Sequence, residues 1–130
     1  MRRDFLLIEE DLDFLTNLGL QWETVRSPTG DWVMIHGYPV PPGYNVTSVT
    51  AALKIDAGYP VSQIDMVYFL PELALRSGKA IGALAHMQID GRNWQRWSRH
   101  RTGENPWRPG LDNISTHIQM VNFWLERELS

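Results

Sequence analysis

Cysteine is missing from all 130 residues. That absence removes thiolate catalysis, zinc–thiolate sites and structural disulfides, so any covalent nucleophile here must be an oxygen or a nitrogen; it is also compatible with a reducing compartment. No apolar run approaches the roughly 18 residues needed to span a bilayer. The early patch Phe5-Leu6-Leu7-Ile8 is followed at once by Glu9-Glu10-Asp11 and is too short for a signal-peptide core, so a cytoplasmic protein without membrane contact is expected. There is no glycine-rich phosphate loop, which leaves no expected nucleotide cofactor. The four histidines form no i, i+4 pair and no cluster with ligand spacing, so no metal is expected either.

What is present suits one domain, 1–130. At 43% hydrophobic, a chain of this length buries about two-thirds of its unfolded surface and needs no staple. The net charge of -3 argues against nucleic acid as a partner, yet the charges are segregated. Acids crowd residues 4–13 and arginines crowd 92–108, which suggests a local positive face.

Residues 8–18 place Ile8, Leu12, Leu15 and Leu18 at helical spacing, with acids in the first turn and Gly19 as a stop. Strand-like runs follow at Gln21–Arg26 and Trp32–His36, separated by Ser27-Pro28-Thr29-Gly30-Asp31, a hairpin loop. Tyr38–Asn45, with three prolines and a glycine, reads as a rigid loop or a binding edge. Val46–Ile55 and Ile64–Leu70 supply two more strands, giving an antiparallel meander of four. From Pro71 to Ala85 the period is lost, which predicts irregular structure or a weak helical turn. The last segment, 112–129, puts Ile114, His117, Ile118, Val121, Trp124, Leu125 and Leu129 on one helical face, with Asp112 as N-cap. The class is α+β: a helix, four strands, an irregular segment holding the active site, and a closing helix.

The stretch His86–Arg101 is too polar for a core element and too aromatic for an idle loop. Between Arg92 and Arg101 it holds four arginines, two tryptophans, Ser98 and His100, so it can bind anions, stack on flat groups or activate a hydroxyl. Ser98 reads either as a loop hydroxyl or as a nucleophile. A serine attacks only after a base takes its proton, and His100, His86 and Asp90 are the bases within reach along the chain. Arg96, Arg99 and Arg101 read either as a solvated, ion-paired surface or as guanidinium forks for a partner's carboxylates. Trp94, Trp97 and Trp107 read as scaffold before ligand stackers, and His36 and His117 as structural histidines.

Taken together, the element order, Tyr59-Pro60 before the last strand, Gly-Tyr-Pro-Val-Pro-Pro-Gly-Tyr at 37–44, the His86–His100 block and Trp107-Arg108-Pro109 before a helix resemble the ubiquitin-conjugating enzyme superfamily. In detail the chain looks most like its prokaryotic family E, found beside ubiquitin-like proteins and activating enzymes in bacterial operons. The resemblance implies a UBC-like fold in which a His-Pro-Asn tripeptide precedes a catalytic cysteine and Trp-x-Pro follows it. Here Met87 and Gln88 replace the proline and asparagine, and no cysteine exists. The resemblance puts Ser98, nine residues before Trp107, in the nucleophile's place, with Gln88 offering an amide to the oxyanion and Trp107 among the binding residues. It implies a carrier that takes the C-terminal acyl group of a ubiquitin-like protein from an activating enzyme as an oxyester and passes it to an acceptor. The alternative it leaves is an adaptor that binds the same partners without covalent chemistry. A third reading, base stacking on the aromatics among the arginines, runs against the overall acidity.

Overall fold

The computed structural model describes all 130 residues. Helix α1 (Glu9–Leu18) begins without a side-chain cap, but Glu9, Glu10 and Asp11 lie in its first turn, where the exposed amides favour negative charge. It stops at Gly19, whose φ of 76° is the left-handed conformation that glycine adopts at least cost. Strands β1 (Trp22–Ser27), β2 (Gly30–Pro39), β3 (Ser48–Ile55) and β4 (Val67–Leu70) form the expected antiparallel meander. β2 runs past its expected end at His36 to Pro39, through an irregularity between Ile35 and Tyr38.

The sheet does not stop at four strands. The segment expected to be irregular pairs with itself as a hairpin, β5 (Leu84–Ile89) and β6 (Arg92–Trp97), and β6 docks on β4, giving the order β1-β2-β3-β4-β6-β5. The turn is Asp90-Gly91, with φ of 51° and 81°. Two successive left-handed residues match the right-handed twist of the flanking strands, and Asp-Gly is among the best pairs for that turn. The segment is a regular hairpin rather than the irregular stretch expected, because the two-residue turn lets 84–89 and 92–97 pair directly. β6 alternates faces, with Gln95 and Trp97 toward the helices and Trp94 and Arg96 away from them.

Both faces of the sheet hold buried side chains. On one face, α1 and α2 (Ile114–Glu128) cover a 22-residue core that includes Leu15, Val33, Ile35, Leu53, Phe69, Trp97 and Trp124. On the other, seven residues including Trp32, Tyr68 and Trp94 close over one another, with Trp32 and Tyr68 edge to face at 4.9 Å. The buried face of α2 is the expected one, but its cap is Asn113. The Asn113 side chain accepts from the Thr116 amide and the Thr116 hydroxyl accepts from the Asn113 amide, a capping box. Asp112, expected as the cap, is instead buried beneath Arg101 and accepts from the Arg108 amide at 2.7 Å. Burial alone raises its pKa; the hydrogen bonds from Arg108 and Thr116 and the charge of Arg101 together outweigh that and hold it below the usual carboxylate range.

Candidate functional site

Ser98 is the first residue past β6. Its amide donates to the Ala83 carbonyl at 3.0 Å, extending the hairpin ladder by one rung, and the Arg99 amide then turns back to the Trp97 carbonyl at 3.0 Å. A three-residue turn is thereby closed with Ser98 at its apex. Trp97 is wholly buried below it, edge to face with Phe69 at 5.3 Å, so the turn stands on a rigid base. The half-buried Ser98 opens onto a cavity of about 440 Å³, the largest on the molecule, lined by Gly82, Ala83, Ser98, Arg99, His100, Trp124, Arg127 and Glu128. None of the protein's hydrogen bonds uses the Ser98 hydroxyl.

Two elements wall this cavity besides the hairpin. Ala83, at φ 54°, is a non-glycine residue in left-handed backbone. The last turn of α2 brings Trp124, Arg127 and Glu128. Arg99 ties the walls together: its guanidinium donates to the Gly82 carbonyl at 3.1 Å and to the Ser98 carbonyl at 3.3 Å, pairs with Glu128 at 3.3 Å and stacks over Trp97. Arg99 is thus neutralised and holds the site's shape. Arg127 lines the same cavity, exposed and without an ion-pair partner, which makes it the free cation of the site. Nothing near it in the sequence marks it out; its place follows from where α2 ends.

His100 also lines the cavity, and its Nδ1 lies 3.0 Å from each oxygen of Asp65. A carboxylate only accepts, so neutral His100 carries its proton on Nδ1 and leaves Nε2 with a lone pair. Ser98 and His100 share the cavity without a hydrogen bond between them. The remaining sequence candidates do not gather here. His86 sits on the edge strand β5, opposite Gln95, and is bonded to Glu72. Gln88 is exposed farther along the same strand, opposite Asn93. Asp90 occupies the hairpin turn, paired with Arg2 at 2.7 Å, and the length of β6, roughly 20 Å at 3.3 Å per residue, separates it from Ser98.

Among the binding candidates, Arg96 lies on the far face of the sheet, opposite Tyr68. Arg101 is only 6% exposed, 3.6 Å from Asp112 and stacked over Trp107. Trp107 donates to the Pro60 carbonyl at 3.0 Å and lies beside Tyr59, pinning the 102–111 loop to the entry of β4. Of the candidates, Ser98, His100 and Arg99 come together, and Asp65, Arg127 and Gly82 join them unannounced.

A second buried polar group closes the opposite end of the core. Asp11 accepts from the Tyr59 hydroxyl at 2.6 Å and from the Ile114 amide at 3.1 Å, so one carboxylate joins α1, the approach to β4 and the start of α2. Burial pushes its pKa up while the two hydrogen bonds pull it back; burial and the adjacent carboxylate push the Tyr59 hydroxyl well above the usual phenol range. His117, wholly buried on α2, donates from Nε2 to the Met66 carbonyl at 2.7 Å, and burial drives its pKa down to about 4. No three His, Asp or Glu side chains are grouped to hold a metal, and no helix is long and apolar enough to cross a membrane.

No curated protein and no solved structure gives a significant match to the chain. A family model does, over nearly the whole of it: with residues 7–128 matched to the model of prokaryotic E2 family E, on an α+β fold of the UBC-like kind, this chain belongs to that family.

Proposed function

We propose that this protein is a conjugating-type carrier with an oxygen nucleophile: Ser98 accepts the C-terminal acyl group of a ubiquitin-like protein from an activating enzyme and passes it to an acceptor. Membership of the family supports the conjugating role in general, together with a ubiquitin-like protein and an activating enzyme as partners. The observation that carries the serine assignment is the setting of Ser98: an apical hydroxyl without an internal hydrogen bond, on the largest cavity, which it shares with a carboxylate-bound histidine. In the step, Ser98 Oγ bonds to the acyl carbon, its proton moves to His100 Nε2, and the bond that held the acyl group on the activating enzyme breaks. The leaving atom takes the proton, and His100 returns to its neutral form. Arg127, the cation of the cavity without an ion-pair partner, is available for the charge that builds on the acyl oxygen.

Incubation with the activating enzyme, ATP and the ubiquitin-like protein tests this. An oxyester survives thiol reductant and is cleaved by hydroxylamine; Ser98→Ala abolishes it, and Ser98→Cys turns it into a reductant-sensitive thioester. Equal adducts on wild type and Ser98→Ala would remove Ser98 from the reaction. Binding without any adduct in either protein would leave the adaptor role.

A further inference from the structure

We infer that Asp65 is a positioning residue for the acyl transfer: it holds His100 as the Nδ1–H tautomer, with the Nε2 lone pair free to take the Ser98 proton. The inference rests on the reading of Ser98 as the acylated residue.

Three observations carry it. Both oxygens of Asp65 are 3.0 Å from His100 Nδ1, and His100 is the sole ion-pair partner of this carboxylate, so its hydrogen-bonding capacity is directed at one nitrogen. The backbone that presents Asp65 is built rather than slack. The next residue, Met66, is held at φ 60°, a conformation that costs a side-chain-bearing residue energy and persists only where its surroundings enforce it. Here they do: the Met66 amide donates to the Arg99 carbonyl at 3.2 Å, and its carbonyl accepts from buried His117 at 2.7 Å. The third is placement. The Met66–Arg99 bond joins the residue after Asp65 to the residue between Ser98 and His100, so carboxylate, base and nucleophile are fixed to one another through a single backbone contact. A serine needs this arrangement where a cysteine does not, because a hydroxyl is almost fully protonated at neutral pH.

The test reads the tautomer and the chemistry separately. In 15N-labelled protein, long-range 1H–15N correlations of the imidazoles report which nitrogen carries the proton. His100 is expected to show Nδ1–H, and His117 shows Nε2–H, which serves as the internal marker of an intact fold. Asp65→Asn keeps the shape but lets an amide donate to Nδ1, so His100 moves toward Nε2–H while His117 stays as it was. Acylation is followed by intact mass with the thioester of N-acetylglycine and 2-mercaptoethanesulfonate as donor: the carbon–sulfur bond breaks, the ester to Oγ forms, and the departing sulfur takes the proton from His100. Asp65→Asn is expected to slow this by about ten- to a hundredfold, and Asp65→Glu, which keeps a carboxylate, to recover most of the rate. If His100 carries its proton on Nε2 in wild type, or if Asp65→Asn is acylated at the wild-type rate, the inference is overturned while Ser98 stands. If wild type gains no adduct, or Ser98→Ala gains the same one, the serine reading fails and this inference falls with it.

Discussion

Lowering the pH from 7 to 5 should cost this fold about 2 kcal/mol through one side chain. His117 is wholly buried, and burial takes its pKa from an ordinary 6.5 to about 4. A histidine depressed on folding binds its proton more tightly in the unfolded chain, so its contribution is present above pH 6.5 and is lost as the pH falls toward 4. With those two values the linkage term is about 0.2 kcal/mol at pH 7, about 2 at pH 5 and about 3 at pH 4. Carboxylates held low in the fold, such as Asp4 beneath the Arg26 amide and the Arg2 guanidinium, act mainly below this window. The raised pKa of Asp11 acts in the opposite sense, its contribution being lost as pH rises above the ordinary carboxylate value. The clean measurement is therefore a difference. Urea unfolding of wild type and His117→Gln at pH 7 and pH 5 should show a gap in stability that narrows by about 2 kcal/mol at the lower pH, because glutamine keeps a donor for the Met66 carbonyl and cannot titrate. Parallel pH dependences in the two proteins would refute the claim that His117 is buried neutral.

Asp11→Ala should cost about 2–4 kcal/mol, near 10 °C of melting temperature for a chain of this length, because it strands the Tyr59 hydroxyl and the Ile114 amide together; calorimetry decides, and a shift under 3 °C would contradict it. Arg101→Ala should cost about 3 kcal/mol by leaving Asp112 short of a buried cation, and Arg101→Lys should recover only part of that, since an ammonium cannot stack on Trp107 as a guanidinium does. Arg127→Glu should leave the melting temperature little changed and slow acylation of Ser98; a variant that melts early but reacts at the normal rate would make Arg127 structural.

The meander and both helices were legible because their signals are local: the apolar run Trp32–Ile35, Gly19 as a stop, and the spacing of Ile114, Ile118, Val121 and Leu125. The hairpin has a local signal too: Asp90-Gly91 is a two-residue turn pair between two runs that can alternate. Reading 92–97 with period two puts Arg92 and Arg96 on the sheet face away from the helices and Trp97 on the face toward them, which removes the apparent single positive face. The four arginines in fact do different things: Arg92 is exposed on the hairpin, Arg96 faces Tyr68, Arg99 braces the cavity, and Arg101 is buried on Asp112. The rest of the site had no local signal. Asp65 and His100 stand 35 residues apart, and Arg99 and Glu128 stand 29 apart, so only the closed fold shows which acid meets which base.

The proposed oxyester chemistry accounts for a site assembled from such distant parts. A thiol in the nucleophile's place ionises with little help, and a loop that positions it is enough. A hydroxyl asks for a base in the correct tautomer, a cation for the developing charge and backbone stiff enough to hold both. On the proposed serine chemistry those demands would fall on three elements: the end of β6 with Ser98 and His100, the approach to β4 with Asp65, and the last turn of α2 with Arg127. The contacts between these elements are the bracing ones, Arg99 to Glu128, Met66 to Arg99 and His117 to Met66. Of the three non-glycine residues in left-handed backbone, Asp90 makes the hairpin turn, while Met66 and Ala83 are hydrogen-bonded to the turn that carries Ser98, where the proposed chemistry asks for stiff placement.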